Sequence, residues 1–579
     1  MNCMHVLPDL KDLEHKYDKE LVVVGVHSAK FQNEKQTENI RSAILRYEIE
    51  HPVVNDAEFK IWSKYNVRAW PTLVLINPEG KIVGRLTGEG HYNELNRAIG
   101  QLVQQFDDHL NRQPIPLALE RDKTPQAVLS FPGKVHADEK SKRLFISDSN
   151  NNRILITDWD GKVLDIIGRG AMGATDGAFQ EAEFDHPQGL ELVGDTLYIA
   201  DTENHLLRRA DLKTKTVETA AGTGKKTFIY RGGPAKETGL NSPWDVIEVE
   251  GNIYIANAGQ HQLWMYNPKE KTVEPYAGSS AENIIDGTLR SAQLAQPSGL
   301  ATDGVHLYFA DSEVSALRKV NRGLYAPRVQ TLIGKGLFEF GDKDGPFNNS
   351  LLQHPLGVVY REDKIFIADT YNHKIKVADL KTKTVKTLFG SGLRGVGTES
   401  APQFYEPGGL DLAGNKLFIA DTNNHFIRVG DLKTQKVTIL ELDFAEYETG
   451  DQSQSFDISP NTKTVKCDTP IPANGRVSIT FQFPNALHLN PAAKPIVQYR
   501  LTDKQGKTFI SQKQLPKVNG DTIRFQTKST LRSPQKAELM VTYYYCETGN
   551  QAQCYIASVV FETPAKAGGA GKLEYKVEQ

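Results

Sequence analysis

The chain has 579 residues, of which 24% are charged and 39% hydrophobic, and its formal net charge is −3 at pH 7. This length predicts three or four domains, and the charge argues against nucleic acid as a general partner. Four cysteines do not make a disulfide scaffold, no apolar run is long enough to cross a membrane, and no signal peptide is visible. We therefore expect a cytoplasmic monomer that binds no cofactor, metal or membrane.

Residues 1–113 alternate helices and strands and predict a small α/β domain. The first 17 residues have apolar side chains at helical spacing, and residues 21–28 predict a buried strand. A second helix is expected at 37–49. Residues 68–90 indicate two strands around a Pro-Glu-Gly turn, and a closing helix follows.

This domain resembles the thioredoxin-like fold at three places. Trp70-Pro71-Thr72 matches the family's cis-proline loop, the hairpin after it matches the terminal hairpin, and Cys3 matches the second cysteine of the active-site pair. The resemblance implies that Cys3, Trp70 and Pro71 are site residues and that the first cysteine and its strand lie upstream of residue 1. A sheet without that strand would expose an apolar trough.

Cys3 is open to two interpretations. At a helix N-terminus its thiol pKa could be lowered, as in a remnant of a redox pair. A dithiol cycle needs two thiols, however, and residues 1–113 contain only Cys3. The alternative is therefore an inert cysteine.

Residues 114–127 contain three prolines and predict a linker. Residues 128–442 then repeat one unit six times. Each unit has a phrase such as HPQGL (186–190) and a later phrase such as LYIADTENHLL (197–207). The acidic or amide residue of the second phrase recurs at gaps of 53, 56, 54, 58 and 52 residues, which indicates a propeller or an array. These residues are Asp148, Asp201, Asn257, Asp311, Asp369 and Asp421.

Each unit predicts four short strands separated by polar turns, so six units predict a six-bladed β-propeller. A β-solenoid is the weaker alternative, because its repeats are shorter. The Asp-Thr-x-Asn-His turn after a strand resembles the NHL repeat. Together with the thioredoxin-like half, stretches such as GVHSAKF, SPWDV and YNHKIKV are similar to the NHL repeat-containing protein 2 family.

Polar side chains of the turn phrase are the candidate binding residues, because propeller loops gather at the ends of the ring. If they form a partner surface, charge reversal of Arg208 and Arg428 would weaken binding and leave stability nearly unchanged. If they close their own hairpins, the melting temperature would fall instead. The candidates are Asn204, His205, Arg208, His373, His425 and Arg428.

Metal ligation in the propeller is the weaker interpretation. His186 and His354 precede prolines in two blades, but the other blades have no histidine there. Asp176, Asp286 and Asp344 recur before glycines, but they belong to different blades, whereas calcium needs six to eight clustered oxygens. Loop turns are expected at these positions.

Residues 443–460 predict a second linker, and 461–579 predict an all-β sandwich of about seven short strands. The segment 564–572 is expected to be flexible, with LEYKVEQ returning as an edge strand. Cys546 and Cys554 lie opposite each other if a hairpin centres on Asn550. A disulfide and a pair of free thiols both remain open.

These features predict a non-catalytic scaffold that binds protein partners at the propeller face or in a cleft between the propeller and the thioredoxin-like domain. The alternative is a thiol-disulfide oxidoreductase in its full-length form, with the propeller recruiting clients. A propeller hydrolase or lyase is disfavoured, because no ligand set or nucleophile motif is present.

Overall fold

The computed structural model describes residues 3–113, 119–123, 127–323, 326–444, 462–484, 487–490, 495–511, 514, 516–529, 531, 533–547 and 554–577. The chain divides into two compact units, Met1–Lys123 and Thr124–Gln579. Of the two predicted linkers, the first contains a short described helix, and residues 445–460 of the second lie outside the described residues. None of the described helices is long and apolar enough to cross a membrane.

The first unit places helices against a small sheet structure. Strands β1 and β2 pair in parallel and β3 and β4 form an antiparallel hairpin, so the described strands make two separate two-stranded sheets. Leu13 of α1 and Leu95 and Ile99 of α4 form the apolar core. The elements are α1 (Leu7–Lys16), β1 (Gly25–His27), α2 (Thr37–Arg46), β2 (Val53–Asn55), α3 (Lys60–Lys64), β3 (Thr72–Ile76), β4 (Ile82–Thr87), α4 (Tyr92–Gln105) and α5 (Glu120–Lys123).

The apolar run at 21–28 differs from its prediction as a buried strand. Only Gly25–His27 is strand, and Val22, Val24 and Val26 are exposed. These valines alternate along the chain, so they lie on one face of it, and no described element covers that face. The expected exposure of apolar side chains at this sheet is therefore observed.

Residues 128–442 form the predicted six-bladed propeller, with four antiparallel strands in each blade. Proline begins the innermost strand in four blades, where a missing N–H is tolerated. In blades two to five, a two-residue strand from the preceding loop pairs with the outermost strand.

The strands occur in chain order as follows. Blades one and two are β5 (Val135–Asp138), β6 (Arg143–Asp148), β7 (Arg153–Asp158) and β8 (Val163–Ile167), then β9 (Gly177–Ala178), β10 (Pro187–Val193), β11 (Thr196–Asp201), β12 (Leu206–Asp211) and β13 (Thr216–Ala221). Blades three and four are β14 (Gly233–Pro234), β15 (Pro243–Val249), β16 (Asn252–Asn257), β17 (Gln262–Asn267) and β18 (Thr272–Ala277), then β19 (Gly287–Thr288), β20 (Pro297–Thr302), β21 (His306–Asp311), β22 (Ala316–Asn321) and β23 (Arg328–Ile333). Blades five and six are β24 (Gly345–Pro346), β25 (Gly357–Arg361), β26 (Lys364–Asp369), β27 (Lys374–Asp379) and β28 (Thr384–Phe389), then β29 (Pro407–Ala413), β30 (Lys416–Asp421), β31 (Phe426–Asp431) and β32 (Val437–Ile439).

The chain after blade six closes the ring on the outer edge of blade one. The Val163 amide donates to the Asp443 carbonyl at 2.7 Å, and the Asp443 amide donates to the Gly161 carbonyl at 2.8 Å. Gly161 has a φ of +94°, and a Cβ there would lie 1.9 Å from the Glu441 carbonyl oxygen. Glycine is therefore required where the two chain segments meet.

The third domain is the predicted β-sandwich, and two sheet halves share its last strand. The core joins residues of both halves, with Phe481 and Tyr543 ring centroids 4.4 Å apart. Its strands are β33 (Lys463–Lys466), β34 (Ile471–Gln482), β35 (Leu487–Leu489), β36 (Ile496–Asp503), β37 (Thr508–Ile510), β38 (Lys517–Asn519), β39 (Thr522–Thr527), β40 (Pro534–Glu547) and β41 (Cys554–Lys576).

The prediction of a flexible segment at 564–572 followed by an edge strand is wrong. Residues 565–576 continue β41 and pair in parallel with β34, and the start of β41 pairs with β40. The small residues allow close approach of the two strands: a Cβ at Gly475 would lie 2.1 Å from the Gly569 carbonyl oxygen. Leu573 and Tyr575 then enter the core. The backbones of Cys546 and Cys554 are directly opposite, and their side chains lie outside the described residues.

Candidate functional site

In the thioredoxin-like unit, the three predicted site residues lie in two places. Cys3 is exposed and precedes the short helical turn that leads into α1. The Trp70–Pro71 peptide bond is cis. The Trp70 indole donates to the Ser28 carbonyl at 2.8 Å, and its ring centroid lies 4.4 Å from that of Trp62. These contacts fix the loop that contains Pro71, and the redox role of Cys3 stays a prediction.

In the propeller, the repeated aspartate organises the turn between the second and third strands of a blade. In blade two, Asp201 is fully buried, and its Oδ1 accepts the backbone N–H of Asp185 at 2.8 Å. Its Oδ2 accepts the Asn204 amide at 2.9 Å and the Arg208 guanidinium at 2.8 Å. Burial raises the pKa of Asp201 to about 6, although Arg208 opposes the rise. The carboxylate thus joins the segment that enters the blade to the turn.

In all six blades, a backbone N–H of the segment that enters the blade donates to a side-chain oxygen of the residue at the aspartate position. The distances are 2.7–2.8 Å for the five aspartates and 3.0 Å for the asparagine of blade three. The donor–acceptor pairs are Ser130–Asp148, Asp185–Asp201, Asn241–Asn257, Ala295–Asp311, Gln353–Asp369 and Tyr405–Asp421.

A buried cation balances the aspartate in four blades from the same position on the third strand. Arg208, Arg318, Lys376 and Arg428 lie there, and Arg208 and Arg318 have no exposed surface. In blade three, the uncharged Asn257 replaces the aspartate, and Trp264 replaces the cation. A buried charge without a partner is costly, so loss of the anion accompanies loss of the cation. Blade one uses Arg153, from a position nearer the turn, to bind Asp148 at 2.8 Å.

The same turn also binds the next blade. In blade two, the Thr202 hydroxyl donates to the Pro243 carbonyl at 2.7 Å, and His205 Nδ1 accepts the Ser242 N–H at 3.0 Å. We call this turn, with its contacts to the next blade, the blade latch. His373 and His425 accept the N–H groups of Glu406 and Phe131 at 3.2 and 3.1 Å, and the second bond closes the ring from blade six to blade one. Asn152 and Ser315 accept the equivalent bonds from His186 and His354.

Four of the six predicted binding residues therefore lie in blade latches, and the other two, Arg208 and Arg428, bind the aspartate of a latch from the third strand. Arg208 is also held by the Thr175 carbonyl at 2.9 Å and by Asp176 at 2.7 Å, and the Asn204 amide donates to the Gly173 carbonyl. These contacts favour the interpretation that the residues close the fold, in which case charge reversal of Arg208 and Arg428 would reduce stability. A direct role in partner binding stays a prediction.

The aspartates of the long loops between blades are also held by contacts within the propeller. Asp176 and Asp286 each accept hydrogen bonds from the buried arginine and from a threonine of the outermost strand. Asp344 forms an ion pair with Lys376 at 3.3 Å and accepts a hydrogen bond from Thr387. Among the described residues, no group of three or more histidines, cysteines or acidic residues could hold a metal ion.

An ion pair on the propeller axis was missed by sequence reasoning. Lys134 Nζ reaches across the ring to Asp245 at 3.3 Å and donates to the carbonyls of Ser298 at 2.8 Å and Leu356 at 2.6 Å. The signal was present in the first phrase of each repeat, whose fourth residue is glycine in four blades but Lys134 in blade one and Asp245 in blade three. Because the four glycines have no side chains, they leave space at the axis, and Lys134 and Asp245 fill it.

Histidine protonation would remove a latch bond, which gives the propeller a testable pH dependence. Burial, with Arg394 nearby, lowers the pKa of His373 to about 4. As pH falls below the unfolded value near 6.5, the unfolded state binds more protons, so stability is lost down to the folded pKa. Asparagine, which blade one uses at this position, does not titrate. Relative to that of the His373→Asn variant, the free energy of unfolding of the wild type should fall by about 2 kcal/mol between pH 6.5 and 5.

Urea unfolding at each pH, followed by hydrogen exchange in peptides from β26 and β27, measures this difference. Opposing pH effects of aspartates such as Asp201 cancel in the comparison, and data at pH 8 give the part of the substitution that is independent of titration. A difference in stability that stays constant from pH 8 to 5 contradicts the assignment.

These features define a class: a thioredoxin-like unit joined to a latch-bonded NHL-type propeller and a β-sandwich. A family model described as Thioredoxin-like matches residues 1–82. "NHL repeat-containing protein 2" of Homo sapiens is 36% identical over an alignment of 619 positions, which covers 97% of this chain and 85% of that protein. The Gallus gallus protein of the same name is also 36% identical, over 99% of this chain and 86% of its own length.

The chain belongs to the NHL repeat-containing protein 2 family. "Protein SUPPRESSOR OF QUENCHING 1, chloroplastic" of Arabidopsis thaliana is 39% identical over 597 residues, which cover 98% of this chain. The chain spans only 56% of the length of that relative. The predicted cytoplasmic location of this chain stays a prediction.

Proposed function

We propose that the protein is a non-catalytic scaffold whose NHL propeller binds protein partners. The observation that carries the proposal is a contrast within the repeat between bonded polar side chains and exposed apolar ones. The polar groups of the turns bond to their own and neighbouring blades, while large apolar side chains in the loops between blades are exposed, including Ile229 and Phe338. Exposed apolar groups grouped on a rigid ring are typical of interaction sites.

Affinity capture with the tagged full chain, quantified by mass spectrometry, tests this proposal. A scaffold should retain its partners after Cys3→Ser and in the presence of dithiothreitol, because binding does not pass through a mixed disulfide. Loss of all partners under either condition would contradict scaffolding and support thiol chemistry. The predicted partner site between the two units and the predicted monomeric state stay predictions.

The chain should not catalyse dithiol reduction. Cys3 is the only cysteine of residues 1–123, so these residues supply no second thiol that could resolve a mixed disulfide. Insulin reduction by the wild type should therefore equal the rate without protein, and Cys3→Ser should leave it unchanged. Turnover at rates typical of thioredoxins that disappears in the Cys3→Ser variant would show the opposite.

A further inference from the structure

Exposed apolar side chains of the propeller concentrate on one end of the ring. The loops from the fourth strand of one blade to the next blade emerge at the same end as the latches, because equivalent strands of all blades run in the same direction. Within the described part of the propeller, seven exposed large apolar residues lie in these loops. They are Met172, Phe228, Ile229, Tyr230, Ile285, Phe338 and Leu393.

The loop between β13 and β14 differs from the others in charge and in apolar density. Phe228, Ile229 and Tyr230 are consecutive and exposed, and Ile229 exposes 69% of its surface. Lys225 and Arg231 flank them and are also exposed. No acidic residue occurs from 219 to 236. We call residues 223–232 the basic-aromatic loop.

Buried carboxamides of blade three hold the backbone of this loop. The Gln260 side-chain amide donates to the Ile229 carbonyl at 3.0 Å and to the Thr227 carbonyl at 3.4 Å. The Asn241 amide donates to the Thr227 carbonyl at 3.2 Å. Gln260 and Asn241 are both buried, and Gln260 also bonds to Asn257 of the latch.

This support explains the unusual latch of blade three. Blades two, five and six use a shorter asparagine that reaches one glycine carbonyl of the loop, as Asn204 does with Gly173. The longer Gln260 reaches two carbonyls, and one of them belongs to the exposed Ile229. A loop whose backbone is fixed before binding loses less conformational entropy on binding. The apolar side chains are thus presented on a pre-formed support.

The charge distribution selects the kind of partner. The basic-aromatic loop contains basic residues and no acidic one, whereas each of the other four loops between blades contains more acidic than basic residues. Glu339 and Glu399 are among the acids exposed there. A flat anionic lipid surface that contacts this end of the ring would meet those carboxylates and be repelled. A short acidic segment can contact the basic-aromatic loop alone and place its apolar side chains on Phe228, Ile229 and Tyr230.

We propose that the basic-aromatic loop is the docking site for an acidic amphipathic segment of a partner protein. This inference rests on the proposed scaffold function and names the surface and the partner chemistry. The aromatic side chains supply buried apolar area at low entropic cost, and Lys225 and Arg231 orient the acidic segment through complementary charge.

A phage-displayed library of random 16-residue peptides, selected on the full chain, tests the proposal, with enriched peptides then synthesised and labelled for fluorescence anisotropy. Enriched sequences should combine Asp or Glu with Leu, Phe or Trp. Their affinity should fall at least tenfold for Phe228→Ser/Tyr230→Ser and for Lys225→Glu/Arg231→Glu, and should weaken with added salt. The control Lys213→Glu/Lys433→Glu changes exposed lysines at the other end of the ring and should bind normally.

Three results would overturn the proposal. Enriched peptides could lack acidic residues, the loop variants could bind them with wild-type affinity, or phosphatidylserine vesicles could bind the chain through the loop while phosphatidylcholine vesicles do not. Affinity capture separates this inference from the scaffold function. Partners retained by Phe228→Ser/Tyr230→Ser refute the loop alone, whereas a chain that captures no partner in any form refutes the scaffold.

Discussion

Replacing Arg208 with alanine should lower the free energy of unfolding of the propeller by about 3–5 kcal/mol. Arg208 has no exposed surface, and its removal leaves the buried Asp201 carboxylate without its cation. The Thr175 and Asp176 oxygens of the preceding loop also lose their donor. Urea unfolding followed by hydrogen exchange of β11 and β12 peptides measures the loss.

The neighbouring Arg209 is the matched control for this prediction. Its side chain is 41% exposed and pairs with Glu218 at the surface, so Arg209→Ala should cost less than about 1 kcal/mol. Equal effects of the two substitutions would contradict the structural role of Arg208. The double variant Asp201→Asn/Arg208→Met, which copies the uncharged arrangement of blade three, should be more stable than Arg208→Ala because no unpaired charge remains.

The second large effect is expected at the propeller axis, where Lys134→Met should destabilise the propeller by about 3 kcal/mol. Lys134 is buried, and burial lowers the pKa of its ammonium group although Asp245 opposes the change. Methionine fills a similar volume but leaves Asp245 without its cation and the Ser298 and Leu356 carbonyls without their donor.

Calorimetry of the full chain together with hydrogen exchange in peptides from β15 and β20 follows this change. The control Lys140→Met removes an exposed charge from the turn between the first two strands of the same blade. It should change stability by less than about 0.5 kcal/mol. A Lys134→Met variant as stable as the control would show that the axial ion pair contributes nothing to the closure of the ring.

Much of the architecture could be predicted because it is periodic. Two phrases recur together six times, and the spacing alone predicts six blades of four strands. Trp70-Pro71 and the hairpin after it likewise indicated the thioredoxin-like half. Local sequence patterns were weaker predictors for segments whose pairing partners are distant in the sequence. The glycine-rich segment at 564–572 has the composition of a flexible tail, but pairing with β34, about 95 residues earlier, makes it a strand.

The candidate site shows the same limit. Asn204 and His205 of the turn and Arg208 of the strand after it carry groups suited to recognition, and the sequence does not state whether those groups face solvent. In the folded ring, Arg208 lies under the loop of its own blade and His205 accepts a bond from the next blade. Conversely, nothing local marks Phe228, Ile229 and Tyr230 as exposed, because three apolar residues between turns are equally typical of a core strand.

The sequence by itself determined the repeat number and the order of the four strands in each blade, because these depend on patterns within one unit of about fifty residues. The tertiary structure decided which polar groups are buried in the latches and which apolar groups remain outside. That outcome depends on how neighbouring blades cover one another. Lys134 shows the reason: it contributes one residue to one blade, but its partners Asp245, Ser298 and Leu356 belong to three others and meet only at the axis of the closed ring.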